Sequence, residues 1–280
     1  SFILLFFLGL FFSFSSTSSL AGERLNKDYY FFFSKHLVYS LLSLCLMFFI
    51  SFLELNFLKK SIVPIFILLF IALIMVALIG VEVKGSKRWL NLYFFRLQPI
   101  ELLKPFFVLL TAQILTLNTF KNSNNAYLFS FLLLISIIIL LINQPDLGQS
   151  ILLIGAWVSI VFIAGINLFY ILSFFGVTFS CLVGLIIMIP EKFGYITNRL
   201  NTFLDPTQGD SFQSQKALDA IKQGGLKGQG MGEGILKDSV PEAHTDYIIA
   251  VISEEFGSVI SILLIIIFLY IVFMIIKISI

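Results

Sequence analysis

Long apolar runs joined by short polar links set the pattern of this chain. Runs of spanning length fall at about 37–53, 62–81, 99–117, 126–142, 149–165, 168–189 and 247–276, after an incomplete one at 2–14. Each approaches the ~20 residues that a tilted helix needs to cross a bilayer. A backbone in lipid must satisfy its own N–H and C=O groups, so every run is predicted to be helical. The expected fold class is all-α: a polytopic transmembrane helix bundle of about eight spans, read as a single membrane domain over 1–280. One link is long, the polar loop 190–246 between the seventh and eighth spans. The chain opens with Ser inside one apolar run and closes inside another. It is expected to be truncated at both ends, with 2–14 the remainder of a first transmembrane helix rather than a signal peptide.

Composition agrees with this pattern. Hydrophobic residues make up 59% and charged residues 12%, with a mean hydropathy of +1.01. A soluble domain has roughly 45–50% apolar and about 25% charged residues. The 33 Phe carry no functional signal, because lipid-facing positions accept any large apolar side chain. A net charge of +2 excludes nucleic acid as an expected partner. Cys45 and Cys181 lie in different runs without metal-type spacing and read as small hydrophobes in helices.

Alternation divides the loops into two sets. The set containing the long loop also holds Arg24, Lys27, Lys35, Lys84, Lys87, Arg88 and Arg96. The positive-inside rule alone assigns that set to the cytoplasm. Within the long loop, 211–223 carries Phe212, Ala217, Leu218, Ala220 and Ile221 at helical spacing. It is predicted to be a short amphipathic helix on the membrane surface, stopped by Gly224-Gly225. Gly228, Gly230, Gly232 and Gly234 follow without the strand or βαβ unit of a dinucleotide fingerprint. They suit a backbone approaching a ligand, a mobile lid or a flexible linker.

Chemistry concentrates where the polar loop re-enters an apolar run: Pro241-Glu242-Ala243-His244-Thr245-Asp246, with Glu254 and Glu255 behind it. A charge carried into hydrocarbon costs roughly 2.5–3.5 kcal/mol on insertion scales unless it faces a polar cavity. Asp246 is the candidate working carboxylate, although capping of the helix that starts at Tyr247 would also explain it. Glu242 and His244 flank it as candidate substrate ligands. Zinc is set aside, because no second ligand pair has suitable spacing. One of Glu254 and Glu255 is expected to pair with a cation such as Lys104 or to stay protonated.

Upstream, Glu101 and Lys104 are three apart on one helical face, with Pro99 suited to its first turn. They form either an internal ion pair or, with Arg88, part of a cationic hollow that holds a pyrophosphate-like anion. Trp89 is an interfacial anchor or a stacking platform for substrate. Asp146, in Gln144-Pro145-Asp146-Leu147-Gly148, reads as a helix N-cap or as a polar contact to the catalytic loop or Lys104.

These stretches, in this order, resemble the SEDS family of bacterial cell-wall proteins (shape, elongation, division and sporulation). The matching segments are GSKRWLNL at 85–92, FRLQPIELLK at 95–104, QPDLG at 144–148, RLNTFLDP at 199–206 and PEAHTDYIIAVISEEFG at 241–257. The loop 217–237 and PEAHTD are closer to the divisional branch, since elongation members commonly carry Arg where Ala243 stands. Departures are Ile100 where the family usually has Ser, Tyr93 where it usually has Gly, and a shorter 238–240. The additional acidic residue often found in that last segment is not carried over.

The resemblance implies a ten-span fold whose last two spans are missing here, with the long loop outside the cytoplasm. We adopt that topology over the cation count, since diphosphate substrates explain the loop cations. It also implies a peptidoglycan glycosyltransferase polymerising lipid II on undecaprenyl-pyrophosphate-linked glycan, with Asp246 as the family's loop aspartate. The implied partners are a class B penicillin-binding protein (a transpeptidase), other divisome proteins and membrane lipid. The implied place is the inner membrane at the septum. No cofactor is assigned outright; a divalent ion, Mg2+ or Mn2+, is the alternative to Arg88 and Lys104 for stabilising the departing diphosphate. The alternatives are a lipid II flippase, or a division scaffold that recruits the transpeptidase.

Overall fold

The computed structural model describes residues 2–25, 30–83, 86–92, 96–116, 123–188, 194, 197, 201, 212–240, 243 and 246–279. It resolves two compact units, Ser1–Phe52 with Ile186–Ile280, and Leu53–Leu185. The chain is a multi-pass helical membrane protein. Five helices among the described residues are long and apolar enough to span, and three shorter apolar helices accompany them.

The unit 53–185 holds α3 (Leu55–Ile79), α4 (Pro99–Thr116), α5 (Ser123–Asn143), α6 (Leu147–Ile163) and most of α7 (Leu168–Met188). Its core follows helical periodicity. α3 buries Ile62, Phe66, Leu69, Leu73 and Val76, and α4 buries Ile100, Leu103, Phe107, Leu110 and Ile114. These stripes meet Leu134, Ile137 and Leu141 of α5 and Leu153, Trp157 and Val161 of α6. Leu68, Leu132 and Ile151 point outward and are largely exposed, as expected of helices whose other face meets lipid. Inside, the Trp157 Nε1–H donates to Ser130 Oγ at 3.2 Å, so the buried indole is not left unpaired.

One part of this unit departs from the helical expectation. The polar link between the runs 62–81 and 99–117, with the last residue of the first run, contains a three-stranded antiparallel meander of β1 (Val81–Val83), β2 (Ser86–Asn91) and β3 (Arg96–Leu97). Glu82 faces Lys87 and Val81 faces Trp89 across the first pair, and Leu90 faces Leu97 across the second. β-branched Val at both ends of β1 and the cross-strand charge pair favour pairing. The segment was too short and too charged for its alternation to stand out.

The other unit holds α1 (Phe2–Leu25), α2 (Phe31–Ser51), α8 (Phe212–Gly224), α9 (Ile248–Phe256) and α10 (Ser258–Ser279). α1 runs past Phe14, where the apolar pattern stops, because Leu20, Ala21, Glu23, Arg24 and Leu25 are good helix formers despite their mixed polarity. The run 247–276 is not one span. Gly257, at φ 85° and ψ 165°, breaks it into α9 and α10 in a backbone region open essentially to glycine alone.

Part of the apolar face of α8 is covered by protein, while Leu218 stays exposed. Ala217 and Ala220 are buried against Val240, Ala243, Ala250 and Val251. Periodicity exposes an apolar stripe but does not say what covers it.

Candidate functional site

α9 is the element on which the candidate catalytic residue depends. Asp246 lies two residues before α9 and is exposed. It does not cap the helix: Tyr247 occupies the N-cap position, and no side-chain cap bond is made there. Among the described residues its carboxylate finds no hydrogen-bond partner. Val240 and Ala243 before it and Ala250 and Val251 after it are buried together. Glu242 and His244 lie outside the described residues.

Glu254 and Glu255, at the other end of α9, are wholly buried. The cation that meets Glu255 is Lys237. Glu255 Oε1 meets Lys237 Nζ at 2.8 Å and its Oε2 accepts from Ser15 Oγ at 3.3 Å. Glu254 Oε1 accepts the Leu236 N–H at 2.7 Å, while its Oε2 is buried without a partner. Both carboxylates sit in the short helix before the break at Gly257, not inside the long span α10. Lys237 was missed in the sequence. The available signal was two carboxylates in an apolar run with a lysine 18 positions upstream in the adjoining loop.

The glycine-rich stretch serves the same helix. The N–H groups of Gln229 and Gly230 donate to the carbonyls of Glu254 and Glu255 at 2.8 and 3.0 Å, closing the C-terminal end of α9. A Cβ on Gly224 would stand 2.0 Å from the Ser253 carbonyl oxygen, and one on Gly228 2.2 Å from that of Glu255. At Gly224 and Gly228 the backbone thus comes against α9 itself.

The remaining candidates belong to the unit 53–185 and form two groups. In β2, Arg88 and Leu90 share one face and Trp89 takes the other. Leu90 is buried, and Trp89 is half-buried. Arg88 reaches the turn before α6: Nη2 donates to the Pro145 carbonyl at 2.6 Å, Nε to the Gln144 carbonyl at 3.4 Å, and Nε stands 3.5 Å from Asp146 Oδ2. Asp146 thus makes no side-chain cap for α6, and its contact is with Arg88 rather than Lys104. Burial leaves Oδ2 without a hydrogen bond. Gln144 is 2% exposed and donates to the Leu73 carbonyl at 3.4 Å, tying the turn to α3.

The second group is a closed ring. Lys104 Nζ donates to Glu101 Oε2 at 2.6 Å and to Gln149 Oε1 at 2.8 Å, and Gln149 Nε2 donates to Glu101 Oε1 at 2.7 Å. An ammonium group has three donors, so this ring leaves one for an anion. Gln149 was quoted in a motif above but given no role. Among the described residues no three His, Cys, Asp or Glu converge as a metal site.

Several known proteins are similar to this chain in sequence. A probable peptidoglycan glycosyltransferase FtsW from Caulobacter vibrioides is 34% identical over 96% of this chain and 68% of its own length. The protein of the same name from Wigglesworthia glossinidia brevipalpis is 34% identical over 92% and 68%. That from Escherichia coli O6:H1 is 32% identical over 88% and 60%, so the chain spans between three fifths and about two thirds of these relatives. Among solved structures, a chain of a peptidoglycan synthase complex superposes with a TM-score of 0.64 at 23% identity, covering 89% of this chain and 71% of that one. A mutant of the Thermus thermophilus rod shape-determining protein RodA gives 0.53 at 22% identity, over 91% and 66%. At such identities the likeness concerns the fold alone. The family profile, described as cell cycle protein, matches residues 1–280. With a profile that runs end to end and relatives a third identical, the chain belongs to the FtsW/RodA/SpoVE family of cell cycle proteins.

Proposed function

We propose that this chain is the polymerising membrane part of a peptidoglycan glycosyltransferase of the divisional kind, joining lipid II to a growing undecaprenyl-pyrophosphate-linked glycan. The observation that carries the reading is the contrast among three carboxylates. Glu254 and Glu255 are buried and bonded to residues 236–237, whereas Asp246 is exposed just before α9 without a hydrogen-bond partner among the described residues.

Asp246 takes the proton of the acceptor sugar hydroxyl as that oxygen attacks the donor's anomeric carbon. The new C–O bond forms on the face opposite the diphosphate, whose C–O bond breaks and whose oxygen leaves with the bonding pair. The configuration at that carbon is inverted. General-base assistance of this kind contributes roughly 10²–10⁴-fold. Diphosphate leaves without protonation, and positive side chains stabilise its charge. Lys104, with a donor to spare, is the foremost of these; Arg88 has two donors committed to the 144–146 turn and serves mainly by its charge. Trp89, Glu242 and His244 are assigned to the substrate's sugars. Mg2+ or Mn2+ arriving with the diphosphate is compatible with this scheme. The long loop 190–246 then lies on the outer side of the bacterial inner membrane, at the septum, where a class B penicillin-binding protein cross-links the product.

The flippase alternative needs ionisable groups along a path through the membrane. Glu101 and Lys104 instead lie in the first two turns of α4, and Asp146 precedes α6. Full-length protein reconstituted with lipid II separates the readings. Glycan strands made by the wild type but not by Asp246→Ala at equal abundance are expected. Translocation without polymer, or polymer only from an added partner enzyme, would replace this reading with the flippase or the scaffold.

A further inference from the structure

We infer that Lys237 and Glu255 are a positioning pair that fixes the Asp246 segment, an inference that rests on Asp246 being the reacting carboxylate. The side chains of Lys237 and Glu255 are 3% and 0% exposed, and the ammonium also donates to the Gly232 carbonyl at 2.8 Å. One residue earlier, the Leu236 N–H is held by Glu254. The last turn of α9 therefore grips residues 236–237 with two adjacent carboxylates, while its backbone carbonyls grip 229–230. Asp246 comes nine positions after Lys237. Between them Val240 and Ala243 are wedged against α8 and α9.

The segment that carries Asp246 thus runs between Lys237, which Glu255 of α9 holds, and the start of α9 itself. A carboxylate on a polar loop is otherwise free to move by ångströms, and misplacement by about 1 Å in an active site can cost about 10²-fold in rate. A buried ammonium keeps its place only while paired; unpaired, it turns toward water or draws water in. Removing either partner releases the upstream anchor and leaves Asp246 present but poorly placed. Neither Lys237 nor Glu255 touches substrate in this scheme.

The test uses full-length Lys237→Met, Glu255→Gln and Lys237→Arg, with lipid II polymerisation, membrane abundance and amide hydrogen exchange across 239–250 measured together. Lys237→Met is expected to lower kcat by about tenfold or more with KM within about twofold. Exchange across 239–250 should quicken by about tenfold or more while that of α10 is unchanged. Lys237→Arg, which keeps the charge, should retain most of the turnover. If Lys237→Met is not recovered from membranes, Glu255→Gln is read by the same criteria. Wild-type exchange across 239–250 in these variants, or turnover per folded molecule equal to wild type, overturns the inference. If the wild type makes no polymer yet the exchange still quickens in Lys237→Met, the pair stands as a tether and the reading of Asp246 falls.

Discussion

Two carboxylates of this chain are buried at the end of α9 and a third stands free just before its start. Charge count alone cannot rank them; burial and partners do. Asp246 was legible in the sequence because it closes a motif at the edge of an apolar run. Its freedom from capping was not, since Asp before a helix is ordinarily a cap. Arg88 and Asp146 were both singled out, but as members of different groups. Their meeting depends on a β-meander that places Arg88 beside the 144–146 turn. The expected energetic signature is coupling. Arg88→Ala and Asp146→Ala, alone and together, should give a double-mutant interaction of about 0.5–3 kcal/mol in thermal unfolding. Additive effects would mean the pair contributes nothing beyond its separate contacts.

Among the elements, helices α2 to α7 lie within a few residues of the apolar runs read from the sequence, apart from the longer N-terminal ends of α2 and α3, because length and hydropathy in a membrane leave few alternatives. The short elements were not legible. The glycine-rich stretch announced close backbone approach without naming what it approaches, which is the end of α9. Gly257 announced nothing, as a single glycine inside an apolar run is tolerated in membrane helices. Gly224→Ala should force α8 from α9, because its Cβ would stand 2.0 Å from the Ser253 carbonyl oxygen. Overpacking of this kind costs about 1–3 kcal/mol, a fall of about 3 °C or more in Tm. Gly155→Ala in α6, where a Cβ meets nothing within 4 Å, is the control and should leave Tm unchanged or slightly raised.

Across the whole molecule, the candidate residues fall into two units, with Asp246, Lys237 and Glu255 in one and Arg88, Trp89, Glu101, Lys104 and Asp146 in the other. The family and the helical class were legible because the motifs span nearly the whole chain and hydropathy fixes the spans. The candidate site was legible only in part: Asp246, the proposed reacting group, stood out, but the buried contacts around Glu255 join residues 18 to 240 positions apart. The divisional assignment belongs to this scale. A fluorescent fusion of the full-length protein should gather at mid-cell, and distribution along the side wall would contradict it. The most direct test of the central claim is single-turnover glycosyl transfer by full-length Asp246→Asn, with donor binding measured in parallel. The expected result is a rate lowered by about 10² or more with donor affinity kept. A rate within a few-fold of wild type, or a loss that follows affinity alone, would contradict Asp246 as the group that takes the proton.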